Sequence, residues 1–326
     1  MTKRGILMKN RLVQILNKYS LYLVLVLLVL FFSATTEGFF TVPNAMSMLT
    51  SWSIKGLIAL GVGMVIISRG IDLSSGSVVA LASVVAASFA QNPEVSKFGM
   101  PPVFVAVVLA SLVGVVIGAC NGAFVAYTKI PPFIATLGAM TVARGLALMY
   151  TKGFPVSQLR EDFMILGRAM VGPVPLLAIY FLVAAGAVWV ILNHTAFGKN
   201  IYAIGGNENA ARVSGVAVEL NLVAVYTIAA FLAAFGGMLM AARTAAGNAT
   251  YGNMYELDAI AAVTVGGISH SGGLGTVSGM VAGIMILAVV ENGLILLGVS
   301  PYLQQVVKGC IIVGAVIYDM SKHKRR

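Results

Sequence analysis

Ten stretches of apolar sequence, joined by short polar connections, occupy most of this 326-residue chain and leave it few ways to fold. They lie at 21–32, 54–68, 76–90, 103–127, 133–150, 174–193, 220–242, 259–267, 276–297 and 303–319. A soluble domain carries about 25% charged residues to cover its surface, and this chain carries 10%. A bilayer, in contrast, accepts an apolar helix of roughly 20 residues per crossing. Backbone groups in lipid must be bonded within their own segment, so helices are predicted throughout. The expected fold is therefore all-α: one polytopic membrane bundle over 1–326, with about ten spans, the shorter segments serving as half-spans. The basic run ahead of 21–32 imitates a secretory leader, but the nine apolar segments behind it favour an uncleaved first span.

The charge that remains is unevenly placed. Net charge is +10, and basic residues cluster at the two ends: Lys3, Arg4, Lys9, Arg11 and Lys18, then Lys322, Lys324, Arg325 and Arg326. No basic stripe interleaved with aromatics accompanies them, so they fix topology rather than bind nucleic acid. An even number of spans puts both tails, 1–18 and 320–326, in the cytoplasm. Alternation then places Arg69, Lys129, Lys199 and Arg212 inside. Lys55, Lys97, Lys152, Arg160, Arg168 and Arg243 fall outside, among Glu37, Glu94, Glu161, Asp162, Glu256 and Asp258. Two longer loops stand out, 151–172 facing out and 194–219 facing in, and loops of this kind carry partners.

Catalytic signatures are missing. The sequence has no GxxxxGK[ST] run to cradle ATP phosphates, no GxSxG elbow, no HExxH pair and no GxGxxG after a strand. The chain is not expected to be an enzyme, and its energy must come from an ion gradient or a partner. Cys120, Cys310, His194, His270 and His323 show neither a disulfide pattern nor metal-ligand spacing, so no cofactor or metal is expected. Arg144, Glu291 and Lys308, with Asp72 near a span end, are ionisable groups at membrane depth. Such groups serve as proton relays or pair internally, and the absence of a carboxylate–histidine chain favours pairing. Asn121, Thr136, Asn292 and Gln304 either face a wet path for a polyhydroxylated solute or bond to neighbouring helices.

Glycines at 114, 118 and 122, and at 275, 279 and 283, fall at i, i+4, i+8 and allow close helix approach. Asn121-Gly122 with Gly138 matches Asn292-Gly293 with Gly309, five spans apart and hence in opposite orientation, as in transporters built from inverted repeats. A second match, Gly70-Ile71 with Ser74 and Gly76 against Gly267-Ile268 with Ser271 and Gly273, implies a different offset. In the inner loop Glu208–Arg212 is helix-forming, between Gly205-Gly206 and Gly215, with Glu208 and Arg212 placed to pair at i, i+4. It is either a solvated loop helix or a knob for a cytoplasmic partner.

Several long stretches carry a resemblance: GIDLSSGSVVAL from Gly70, PPFIATLGAMTVARGLALMYT from Pro131, FGKNIYAIGGNENAARVSG from Phe197, YELDAIAAVTVGGISHSGGLGTVSG from Tyr255 and ENGLILLGVSPYLQQVVKG from Glu291. The chain resembles the permease subunits of bacterial ATP-binding-cassette monosaccharide importers, the ribose-type family, and among them the ribose and D-allose members. The resemblance implies a multi-pass protein of the cytoplasmic (inner) membrane, paired with a second copy of itself. It implies a separate cytoplasmic ATPase gripped by Gly205, Gly206, Asn207, Glu208, Ala210, Ala211, Arg212 and Gly215. Asn209 departs from the family's glutamate-alanine-alanine core there. A periplasmic sugar-binding protein would meet Arg160, Arg168 and Arg243, and a path at the twofold interface would involve Asn121, Phe133, Thr136, Asn292 and Gln304. The rival readings are an ion-coupled secondary transporter without an ATPase and a membrane scaffold.

Overall fold

The computed structural model describes residues 3–323, with side chains described over 19–317 and 319–321. The basic terminal side chains used above to orient the chain lie outside those limits. In order, the elements are α1 (Lys3–Thr35), α2 (Val42–Ile67), α3 (Ser75–Phe89), α4 (Val103–Ala123) with a π turn (Phe124–Thr128), α5 (Pro132–Thr151) and α6 (Glu161–Arg168). A two-stranded hairpin, β1 (Met170–Val171) against β2 (Val174–Pro175), leads to α7 (Leu176–His194), α8 (Ala196–Gly206) and α9 (Glu208–Val213). Then come α10 (Val218–Thr244), α11 (Tyr255–Val265), α12 (Val277–Leu296) and α13 (Pro301–His323).

The all-α expectation holds, and each of the ten apolar stretches falls on a helix. Among the described residues seven helices are long and apolar enough to cross a membrane: α2, α4 with its π turn, α5, α7, α10, α12 and α13. The described part of α1, Tyr19–Thr35, and α3 are shorter. At 1.5 Å per residue the 11 residues of α11 reach only about 16 Å.

Local sequence sets the boundaries. Thr41 caps α2 by accepting from the Asn44 N–H at 3.4 Å, with Pro43 in the first turn, where its missing N–H costs nothing. Thr276 caps α12 by accepting from Gly279 N–H at 3.1 Å. α2 and α10 form the centre, α2 being buried continuously from Trp52 to Ile67. The glycine ridge of α4 explains its closeness to α10. A Cβ on Gly118 would lie 2.5 Å from the Tyr226 carbonyl oxygen, and one on Gly122 2.5 Å from Val223 Cα. On α12, Gly279 and Gly283 sit against the carbonyls of Gly266 and Ala262. Gly275 does not complete that ridge: it precedes α12 at φ +148°, a turn conformation.

Two short helices, α3 and α11, each follow a non-helical stretch, 68–74 and 245–254. After α10 the chain descends alongside α3, with Gly247 against Ser83 and Ala87 and Gly252 against Val79 and the Gly76 carbonyl. α11 therefore starts beside the first turn of α3. A Cβ on Gly76 would strike the Gly252 carbonyl and the Glu256 carboxylate, so only glycine fits where the two helix starts meet.

Lys55 and Asp258, expected in outer loops, are instead buried within the bundle. α2 begins at Val42, so the polar run Thr50–Ser53 is helical and Lys55 lies mid-helix.

Candidate functional site

Segment 194–219 forms a rigid tip rather than a loop. Thr195 caps α8 by accepting from Gly198 N–H at 3.1 Å. Asn207 breaks the helix with φ −160° and caps α9 by accepting from Ala210 N–H at 3.0 Å. Gly215 ends the unit at φ +84°. The expected helix at 208–212 is present, and α8 and the break at Asn207 were not foreseen.

Below the tip, Ala211, Ile204, Ala126, Val218 and Leu222 make a small apolar core. Gly205 packs on the Ile67 carbonyl and the Gly273 N–H, leaving no room for a side chain. Gly273 N–H donates to Ile67 O at 2.8 Å, and Tyr202 Oη–H donates to Gly275 O at 2.9 Å. The tip is thus mounted on the end of α2 and on the α11–α12 turn. Its other side is open: Gly206, Asn207, Glu208, Ala210, Arg212 and Gly215 are exposed, and Val213 is 90% exposed. An apolar side chain so bare beside a built scaffold is a contact feature, and sequence reading passed it over as part of the helix.

Four charges hold the tip to the bundle. Lys129 Nζ is 3.1 Å from Glu208 and 3.6 Å from Glu219, while Arg212 is 3.1 Å from Glu208 and 2.7 Å from Glu219. Burial pushes the Glu208 carboxyl up, but hydrogen bonds from Lys129 and Arg212 outweigh it and hold the group below the usual glutamate range. Hydrogen bonds to Glu219 and then Glu208 raise the Arg212 guanidinium. Exposed pairs of this kind are screened by water and contribute little, so the network sets orientation more than stability.

Inside the bundle the ionisable groups pair, as the missing carboxylate–histidine chain implied. Lys55 Nζ lies 3.0 Å from Asp258 and 2.8 Å from Glu291; Lys308 Nζ lies 3.1 Å and 3.6 Å from the same two. This neutral quartet ties α13 to α2, α11 and α12. Arg144 of α5 donates to the carbonyls of Ala249 and Tyr251.

The five path candidates divide. Asn292 and Asn44 exchange amide hydrogen bonds at 2.8 and 2.9 Å, fastening α12 to α2. Gln304 donates to Val299 O at 2.8 Å within its own turn. Phe133 is exposed on α5. Thr136 donates to Ile71 O at 3.3 Å, and Asn121 Nδ2 donates to Ser74 Oγ at 2.9 Å. Only Asn121 and Thr136 therefore share a neighbourhood, the segment 71–75 where the chain turns into α3. Ser74 Oγ–H in turn donates to Asp72 Oδ1 at 2.6 Å. Asp72 Oδ2, Ser75 Oγ and Asn121 Oδ1 have no partner, and each such buried atom costs about 1–3 kcal/mol. Asn121 also borders a cleft of about 820 Å³ between α3, α4 and α5, lined otherwise by apolar groups such as Leu81, Val116 and Ile134.

At the opposite end, the arginines expected to meet a binding protein differ in availability. Arg160 is buried, bonded to Asp162 at 3.2 Å and donating to Pro101 O at 2.8 Å. Arg168 is exposed and donates to Arg243 O at 2.9 Å. Arg243 is half-buried, its guanidinium 3.3 Å from Ser51 Oγ.

Among the described residues, seven helices long and apolar enough to cross a membrane, packed in one bundle, define the class as a multi-pass helical membrane protein. The sequence profile described as "Branched-chain amino acid transport system / permease component" matches residues 44–316, and the chain belongs to that family. It is 41% identical over 330 residues to the galactose/methyl galactoside import permease of Haemophilus influenzae, covering 98% of each chain. It is 41% identical over 310 residues to the ribose import permease of Bacillus subtilis, covering 94% of each. The Escherichia coli ribose import permease is 40% identical over 306 residues, covering 91% of this chain and 92% of its own. No solved structure matches.

Proposed function

We propose that this chain is the membrane-spanning permease subunit of an ATP-driven monosaccharide importer in the bacterial cytoplasmic membrane. The observation that carries the reading is the α8–α9 tip, exposed on one side and fixed on the other to the ends of α2 and of the α11–α12 turn. A push on such a tip moves central helices. Full-length similarity to galactose and ribose import permeases supplies the cargo class. Both sugars come from relatives equally similar to this chain, so identity does not favour ribose, and D-allose has no support of its own.

In this reading the tip, through Gly206, Asn207, Glu208, Ala210, Arg212, Val213 and Gly215, docks on a separate ATPase. ATP drives exchange between outward- and inward-open bundles insofar as the assembly binds it more tightly in one of them. A second copy completes the path, and a periplasmic sugar-binding protein meets the opposite end, where Arg168 and Arg243 offer charge. About ten spans put both termini in the cytoplasm, with α3 and α11 as the short ones. An inverted repeat is supported by element order: α2–α5 and α10–α13 each run long, short, long, long, and α3 packs on α10 as α11 packs on α2. The Asn121/Asn292 match aligns α4 with α12. The Gly70/Gly267 match joins two loops at the same end of the bundle, which inversion cannot relate.

The test is Gly206→Trp and Ala210→Trp, both at exposed positions, in proteoliposomes holding the ATPase and the binding protein. Sugar uptake is expected to fall about tenfold or more while the bundle still assembles. Unchanged coupling in both variants removes the tip from the mechanism. Uptake that follows an ion gradient and ignores ATP restores the ion-coupled reading, which the relatives do not support.

A further inference from the structure

We propose that Asp72, Ser75 and Asn121, brought to the turn where the chain enters α3, form the permease's own sugar-binding station. The inference rests on the importer reading above and assigns it residues.

Among the described residues only five buried side-chain polar atoms have no hydrogen-bond partner, and three of them are Asp72 Oδ2, Ser75 Oγ and Asn121 Oδ1. Each of these three residues is 1% exposed. Two of them are linked through one hydroxyl, that of Ser74, and Ser75 follows it in the chain as the first residue of α3. Asn121 Nδ2 donates to Ser74 Oγ at 2.9 Å, and Ser74 donates to Asp72 Oδ1 from its hydroxyl at 2.6 Å and from its backbone N–H at 2.8 Å. What remains is two acceptors and one hydroxyl, so the set offers more acceptor than donor capacity. A ligand that completes the set must donate hydrogen bonds, carry no negative charge and be small. Neutral polyols have this chemistry: each hydroxyl donates to a carboxylate or amide oxygen and accepts from a serine.

Elimination points the same way. Apart from Ser33 Oγ on α1, the polar groups weighed as path candidates elsewhere are already committed: Asn44 with Asn292, Gln304 with Val299 O, Arg144 with two carbonyls, and the four charges of the Lys55 quartet with one another. The cleft bordering Asn121, about 820 Å³, is wide enough for a monosaccharide, but its aliphatic walls offer a hydroxyl nothing. Access runs past α5, a peripheral helix that touches the segment through Thr136 Oγ1 at 3.3 Å from Ile71 O. Movement of α5 opens the station, so the buried arrangement is the closed form of a transient site.

The test uses the complete assembly in proteoliposomes, with saturating binding protein loaded with radiolabelled D-ribose or D-galactose, or with their 2-deoxy analogues. The quantity read is sugar imported per ATP hydrolysed. Asn121→Leu, near in shape but without hydrogen-bonding atoms, is expected to lower that yield about tenfold, the equivalent of one lost hydrogen bond, with ATPase stimulation kept within about twofold. Ser75→Ala removes one oxygen and keeps the helix start, so it guards against failed assembly. It is expected to lower the yield less and to reduce the preference for the parent sugar over its deoxy analogue, which a packing role would leave intact. Wild-type yield and discrimination in both variants overturn the proposal alone. A yield governed by sodium or pH rather than by sugar hydroxyls overturns it in favour of a cation. A wild-type complex that imports neither sugar overturns the importer reading and this one with it.

Discussion

Lys55→Met tests whether the buried charges balance one another. Methionine fills most of the lysine volume, so packing changes little, but it removes the cation 3.0 Å from Asp258 and 2.8 Å from Glu291. Two carboxylates then face Lys308 alone, leaving one negative charge uncompensated among α2, α11, α12 and α13. Removing one partner of a buried ion pair costs about 3–5 kcal/mol, a factor of about a hundred to several thousand in the folded population. Adding Glu291→Gln restores one cation to one anion, because Lys308 remains 3.1 Å from Asp258. The double variant is expected to recover at least about 2 kcal/mol, a coupling within the range for residues in one network. Titrating detergent-solubilised protein with SDS and following helix content by circular dichroism gives each free energy. A loss under about 1 kcal/mol for Lys55→Met, or a double variant less stable than the single one, refutes the balanced quartet.

Two further outcomes follow from the packing and the tip. Gly118→Val should destabilise the bundle by about 1–3 kcal/mol through overpacking against α10, whereas Gly138→Val, whose Cβ would have nothing within 4 Å, should be neutral; melting temperatures in detergent compare them. Because Glu208 is held below its usual 4.5, its pairing supports the tip above that pH and is lost as pH falls through the lowered value. A nitroxide at Asn209→Cys, in a background without Cys120 and Cys310, should show constant mobility from pH 8 to about 5 and loosen only below about 4.5.

The helices were legible in the sequence because bilayer solvation dictates them: an apolar run in lipid has few alternatives to helix. The α9 helix was legible for local reasons, its cap and its i, i+4 pair lying within six residues. What escaped was long-range. Lys55 resembled a loop residue because its neighbours Thr50, Ser51 and Ser53 are polar, and the carboxylates that neutralise it lie more than 200 positions away. Asn292 read as well for a path as for a fastening, and only the position of Asn44 decides. Gly275 had the ridge spacing but precedes the Thr276 cap, which starts α12 after it.

The distribution of satisfied and unsatisfied groups says more about the cargo than hydropathy does. A permease for ions would keep charge available along its path, yet every described ionisable side chain of the quartet is neutralised inside the bundle, and Arg144 is bound by carbonyls. The quartet therefore presents little net field, and the buried carboxylate that keeps a free oxygen is Asp72, placed to accept from a neutral solute. The energy for directional movement then has to enter from outside the spans. Among the described residues, the α8–α9 tip is exposed on one side and joined to the core by backbone contacts at α2 and the α11–α12 turn. Neutral interior and external lever are thus two consequences of one arrangement: charge that closes on itself in the membrane cannot also do the driving.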